Sequence, residues 1–92
     1  MGNREALRDA LLLDIAEEYE SASKRYPKFA TRHDGYAVIL EELDEVWDAI
    51  KTNQLNAVLE PELKQVGAMI LRFLMDIIYG SSPTKVKEEM KE

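Results

Sequence analysis

The chain has 92 residues, with 18 acidic and 12 basic side chains, a formal net charge of −6 and no cysteine. A single domain of this size buries only about two thirds of its unfolded surface, and without disulfides or thiolate metal sites its remaining supports are tight helix packing or association with a second copy. The acidic residues spread along the whole chain, the opposite of the basic face that duplex nucleic acid requires, so a phosphate ligand would need a cation between it and the protein; magnesium, which bridges carboxylate and phosphate oxygens, is the natural candidate.

Helical spacing recurs along the chain, and no stretch alternates as a half-buried strand does. The first helix is predicted from about Asn3 to Ser23, with Leu7, Leu11 and Ile15 on one face and Leu12, Ala16 and Tyr19 on another. Two apolar faces call for two neighbours. The polar stretch "SASKRYPKFATRHDG" reads as a connecting loop, because Pro27 disfavours helix at Tyr26. A second helix is predicted from His33 or Asp34, with Asp34 as its cap, to about Lys51, and Ile39, Leu43, Val46, Trp47 and Ile50 form its core stripe. Pro61 suits a first helical position, so the third helix is placed from Pro61 to Tyr79 with Gly80 as its stop. The segment "SSPTKVKEEMKE" reads as a short fourth helix capped by Ser82. The fold class that follows is all-α: one domain spanning the chain, an up-and-down bundle of about four helices completed by oligomerisation. The apolar runs "ALLLDIA" and "MILRFLMDIIYG" are too short or too interrupted by charge to be a signal peptide or a membrane span, so the expected location is cytoplasmic, with no membrane partner.

Within "YAVILEELDEVWDAI", Val38, Glu42, Glu45 and Ala49 share a seam beside the core stripe, and carboxylates at i, i+3 can converge on one cation. On the third helix Glu62, Gln65, Met69, Arg72 and Asp76 occupy one arc of an otherwise apolar segment. If the two arcs meet, three carboxylates and an amide oxygen surround a small space that a divalent cation would compensate. The register that would bring them together is open from sequence. A di-iron carboxylate site is disfavoured, since it needs two Glu-x-x-His units and the chain has only His33, which fits a helix start better than a ligand.

The stretches "FATRHDGYAVILEELDEVWDAI" and "PELKQVGAMILRFLMDI" resemble the MazG-like branch of the all-α nucleoside triphosphate pyrophosphatases, particularly its short bacterial and phage members, over Phe29 to Ile77. That family pairs Glu-Glu-x-x-Glu on one helix with Glu-x-x-Asp on a following helix. The resemblance implies Glu42, Glu45 and Glu62 as magnesium ligands, with Glu41 beside them as a catalytic base that orients water. Gln65 stands where the pattern has aspartate, and it would offer a neutral carbonyl oxygen to the metal.

The implied reaction is hydrolysis of a nucleoside triphosphate between its α and β phosphates, giving the monophosphate and pyrophosphate, by paired subunits forming a dimer or a dimer of dimers. Lys28, Arg32, Arg72 and Lys85 are the cations available to the phosphate tail. Trp47 and Tyr36 fit core or interface better than a base-stacking role. The rival reading is an oligomeric helical module that keeps the fold and binds a nucleotide or a protein without catalysis, for which Gln65 is the favouring feature.

Overall fold

The computed structural model describes residues 2–80, and these are helical throughout: α1 (Gly2–Arg25), α2 (Arg32–Lys51) and α3 (Asn56–Phe73), the last running directly into a π-turn at Leu74–Ile78. No strand occurs among the described residues. The segment read as a fourth helix, with Lys85, lies outside them.

The element boundaries moved for identifiable reasons. The cap of α2 is Thr31, not Asp34: Thr31 is extended, and its hydroxyl accepts the Asp34 N–H at 3.0 Å. Asp34 becomes the third helical residue, where its charge suits the positive helix end. At the other end Asn53 adopts a left-handed φ of 57°, and the Asn53 and Gln54 N–H groups bond back to the Ile50 and Ala49 carbonyls at 3.0 and 2.9 Å. This is a Schellman closure with asparagine in the left-handed position. Leu55 is then extended, and α3 begins at Asn56, so Pro61 sits inside the helix and not at its first position. The hydrogen bond that proline forgoes would have gone to Ala57, whose exposure lets water take its place.

α3 is the central element. It packs against both α1 and α2, whereas α1 and α2 have no comparable contact with each other. The start of α2 meets the end of α3 at Gly35 and Phe73, so these two helices run antiparallel. α1 crosses α3 through its C-terminal half: Ile15 lies against Gly67, and Lys64 of α3 reaches Asp14 at 2.7 Å. A small core of Ala22, Phe29, Ala68 and Met69 forms where α1, α3 and the connecting segment converge, with Tyr19, Val38, Ile39, Phe73 and Ile77 around it.

The expected core stripe of α2 is rotated. Val46 is buried and Ile39 half-buried, but Leu43, Trp47 and Ile50 are 48, 56 and 51% exposed. The helix turns its Gly35–Ile39–Val46–Ala49 side to α3, because Gly35 and Ala49 allow the close approach that the bulkier stripe would prevent. On α1, Leu7, Leu11 and Leu12 are likewise exposed, so each of its two predicted apolar faces has a neighbour within the protomer only in its C-terminal part, through Ile15 on one and Tyr19 on the other.

Gly35 gives the packing a sharp test. A Cβ there would collide with the Phe73 ring and come within 3.2 Å of Phe29 Cδ2. Gly→Ala inside a helix ordinarily stabilises by roughly 0.5–1 kcal/mol, so Gly35→Ala should reverse that sign and destabilise by about 1–3 kcal/mol in urea melts followed by circular dichroism.

Candidate metal centre

Two helices supply the carboxylates. Glu42 and Glu45 lie one turn apart on α2, and Glu62 comes from the second turn of α3, whose antiparallel course carries it opposite them. One oxygen from each lies within 4.8 Å of the others. The register that periodicity left open is therefore the one in which the acidic arcs meet.

The group lies in the wall of a cavity of about 630 Å³. Asp34, Glu41 and Gln65 join the three glutamates in that wall, and Arg25, Lys28 and Arg72 are its cations. Of the sequence-predicted residues, Arg32 is exposed at the start of α2 and is not part of this wall. Arg25 joins it unexpectedly. The reason is that α1 continues past Ser23 to Arg25, and its Glu18–Ala22–Arg25 spacing of four and three residues aims one more turn of helix at the site. That periodicity was visible in the sequence but hidden by ending the helix early.

The like charges leave a mark on the acids. The Glu42 carboxyl is raised above its ordinary value, first by burial and then by the negative charges of Glu45, Glu62, Glu41 and Glu18. Glu62 is raised as well, chiefly because its protonated form shares a hydrogen bond with Glu45, with burial and the Glu45 charge adding to it. Glu62 Oε2 is closed off from solvent and has no hydrogen-bond partner. An orphaned carboxylate oxygen beside two more carboxylates is the donor set that a hard divalent cation fits: oxygen ligands only, net negative, and open to a cavity wide enough for several waters.

Arg72 faces the same cavity from a different situation. It is only 3% exposed; it donates to the Pro27 carbonyl at 2.8 Å and to Met69 Sδ at 3.5 Å, and its guanidinium carbon stands 4.3 Å from the Phe29 ring centre. Its Nε is buried without a partner. Arg72 and Asp76 do not pair within the helix. Asp76 instead accepts the Phe29 N–H at 3.0 Å, so two side chains one turn apart on α3 fasten the 26–31 segment over the cavity. Gln65 donates its amide to Glu18 Oε2 at 2.8 Å, and Arg25 Nη2 stands 3.7 Å from the same oxygen.

Neither family models, curated proteins nor solved structures give a match to this chain. What the site can do follows from its own geometry.

The raised carboxyls set the pH dependence without metal. In the folded protein Glu42 and Glu62 keep protons above their ordinary value of 4.5, so their contribution to stability is complete below that pH and is lost as pH rises through the folded values. Glu62→Gln removes one of the repelling charges. In chelator, its melting temperature relative to the parent should become more favourable from pH 4.5 toward about pH 7, measured by thermal melts at each pH. A difference independent of pH would mean that Glu62 does not feel its neighbours.

Proposed function

We propose that the protein is a magnesium-dependent nucleoside triphosphate pyrophosphatase acting on NTP or dNTP in nucleotide-pool clean-up, similar to the MazG-like enzymes. The observation that carries this reading is the three-carboxylate group of Glu42, Glu45 and Glu62 in the wall of a cavity that Arg25, Lys28 and Arg72 also line. A triphosphate carrying magnesium needs that arrangement: anionic oxygens for the cation and cationic donors for the uncompensated phosphate charge.

Glu42, Glu45 and Glu62 would hold the cation, with Gln65 beside them in the cavity wall. The cation supplies neutralisation of the charge that develops on the phosphates and lowers the pKa of water. Glu41, exposed at the cavity rim beside this group, would accept a hydrogen bond from the attacking water and receive its proton. Attack on the α phosphorus breaks its bond to the bridging oxygen and releases pyrophosphate, whose charge Lys28 and Arg25 are placed to receive. Arg72, committed to Pro27 and Phe29, supplies positive potential from the cavity floor. Tyr26, exposed in the cavity wall, is the aromatic ring there that a nucleobase could meet.

The test is pyrophosphate release from a panel of canonical and modified triphosphates, with and without magnesium. Magnesium-dependent release from at least one is expected, and Glu42→Gln should abolish it. Magnesium should also raise the melting temperature of the parent, by mass action worth about 2.7 kcal/mol at a hundredfold excess over Kd, and Glu42→Gln should blunt the shift. Binding of the magnesium–nucleotide complex without turnover of any substrate would instead support the non-catalytic reading, which Gln65 favours.

The active form is proposed to be a dimer or a dimer of dimers. Leu43, Trp47 and Ile50 of α2, Leu63 and Ile70 of α3 and Leu74 at the start of the π-turn are each 42 to 56% exposed, an apolar display that a second copy would cover. Sedimentation at micromolar concentration should give a dimer or larger, and Trp47→Glu should shift it toward monomer.

A further inference from the structure

Glu18 is a helix-surface glutamate by its spacing, yet the fold carries it from a third helix onto Gln65 of the cavity wall, where it stands behind that side chain and not among the residues that line the cavity. Its charge is among those that act on Glu42. A fourth carboxylate near three others should turn away into solvent, and with its side chain 29% exposed Glu18 has room to do so. It is held instead. Gln65, which lines the cavity, donates its amide hydrogen to Glu18 Oε2 at 2.8 Å. Arg25 stands farther off, at 3.7 Å with its own side chain 55% exposed, and screens Glu18 only weakly.

The chemistry of the holding residue matters. A lysine or arginine at position 65 would fix Glu18 and cancel its charge together; a glutamine fixes the orientation and leaves the charge in place. The same cavity also has a deeply buried cation, Arg72, whose Nε is unpartnered, and an oxygen of Glu62 closed off from solvent without a partner, so two of its polar atoms are left for a ligand.

Resting on the magnesium reading above, we infer that Gln65 is a positioning residue that holds Glu18 of α1 beside Glu42, Glu45 and Glu62, making Glu18 the fourth acidic side chain of the cation site. Glu18 is outside the trio whose oxygens lie within 4.8 Å of one another, so it acts at one remove. A carboxylate at that remove adds negative potential to a site whose cation would keep several of its waters. Gln65 then serves the cation through Glu18, and α1 becomes part of the site and not only its support.

The experiment measures manganese binding to the full chain by electron paramagnetic resonance, with magnesium as competitor, for the parent, Glu18→Gln, Gln65→Met and the double variant, and with Glu62→Gln as control. Melting temperatures are taken in chelator alongside. Glu18→Gln should weaken binding by roughly three- to tenfold, as loss of a nearby but non-ligating charge would. Gln65→Met should weaken it by a similar factor, and the double variant should be no weaker than Glu18→Gln, because the two residues act as one unit. If both single variants bind within about twofold of the parent while Glu62→Gln loses binding, the inference is overturned and the metal site stands. A lower melting temperature with unchanged affinity overturns it equally, since the pair would then only fasten α1 to α3. Should Glu18→Gln fail to fold, Gln65→Met decides by the same limits. A parent that binds no manganese removes the metal reading and this inference with it.

Discussion

Three carboxylates converge within 4.8 Å because α3 lies antiparallel on α2, and almost every other feature follows from how that contact is held against the repulsion it creates. Gly35 lets the Phe73 ring lie against the α2 backbone at one end of the pair, and Val46 and Ala49 continue the close approach along the helix. The short closure through Asn53 and Leu55 fixes the register at the other end. Burial and like charge raise Glu42 and Glu62, so in the absence of a cation part of the packing energy goes into keeping acids where they would not otherwise stay. Such a cost is a sign of function more than of stability.

The second constraint is on the connecting segment. Residues 26–31 have no helix of their own, and a free segment of that length would not make a cavity wall. Arg72 and Asp76 take hold of Pro27 and Phe29 from consecutive turns of α3, one through a carbonyl and a ring face, the other through an N–H. The π-turn at Leu74–Ile78 encloses Asp76 and widens the helix where it does so. Gly80 follows directly, at a point where a Cβ would strike the Asp76 carbonyl, so the end of α3 is shaped around the residue that fastens the segment. Lys28, Phe29 and Tyr26 are thereby presented to the cavity as a wall.

Much of this could be read from the chain, and the failures have a common origin. The helical class, the Val38–Glu42–Glu45 seam and the Glu62–Gln65–Met69–Arg72–Asp76 arc all depend on periodicity within one helix, which the sequence displays directly. The Leu43–Trp47–Ile50 stripe lies outside the core because helical periodicity shows which residues share a face and not which face the neighbouring helix takes. Small residues decided the α2 contact instead, and Gly35 and Ala49 carry no hydrophobic signal strong enough to compete with a tryptophan. Pro61 prefers a helix start by its local chemistry, yet at an exposed stretch around Ala57 an interior position is tolerated. Arg25 follows from the added helical turn past Ser23, whereas Glu18 meets Gln65 only through the crossing of α1 over α3, which is a tertiary fact.

The displaced apolar stripe also bears on how the acidic site could be kept in place. On α2, Trp47 follows Glu45 by two residues, and on α3, Leu63 precedes Gln65 and Ile70 precedes Arg72 by two, so each helix turns a polar flank to the cavity and an apolar flank about 160° round from it. The two flanks belong to the same rigid elements. A second copy covering the apolar side, as proposed, would press α2 and α3 together from behind and oppose the splaying that Glu42, Glu45 and Glu62 favour. Conversely, a cation drawing those carboxylates together would set the two helices at the separation on which the apolar flanks present one continuous surface. Association and cation binding would then be linked through the α2–α3 spacing, each strengthening the other by the same free energy, without any contact between the partner and the site.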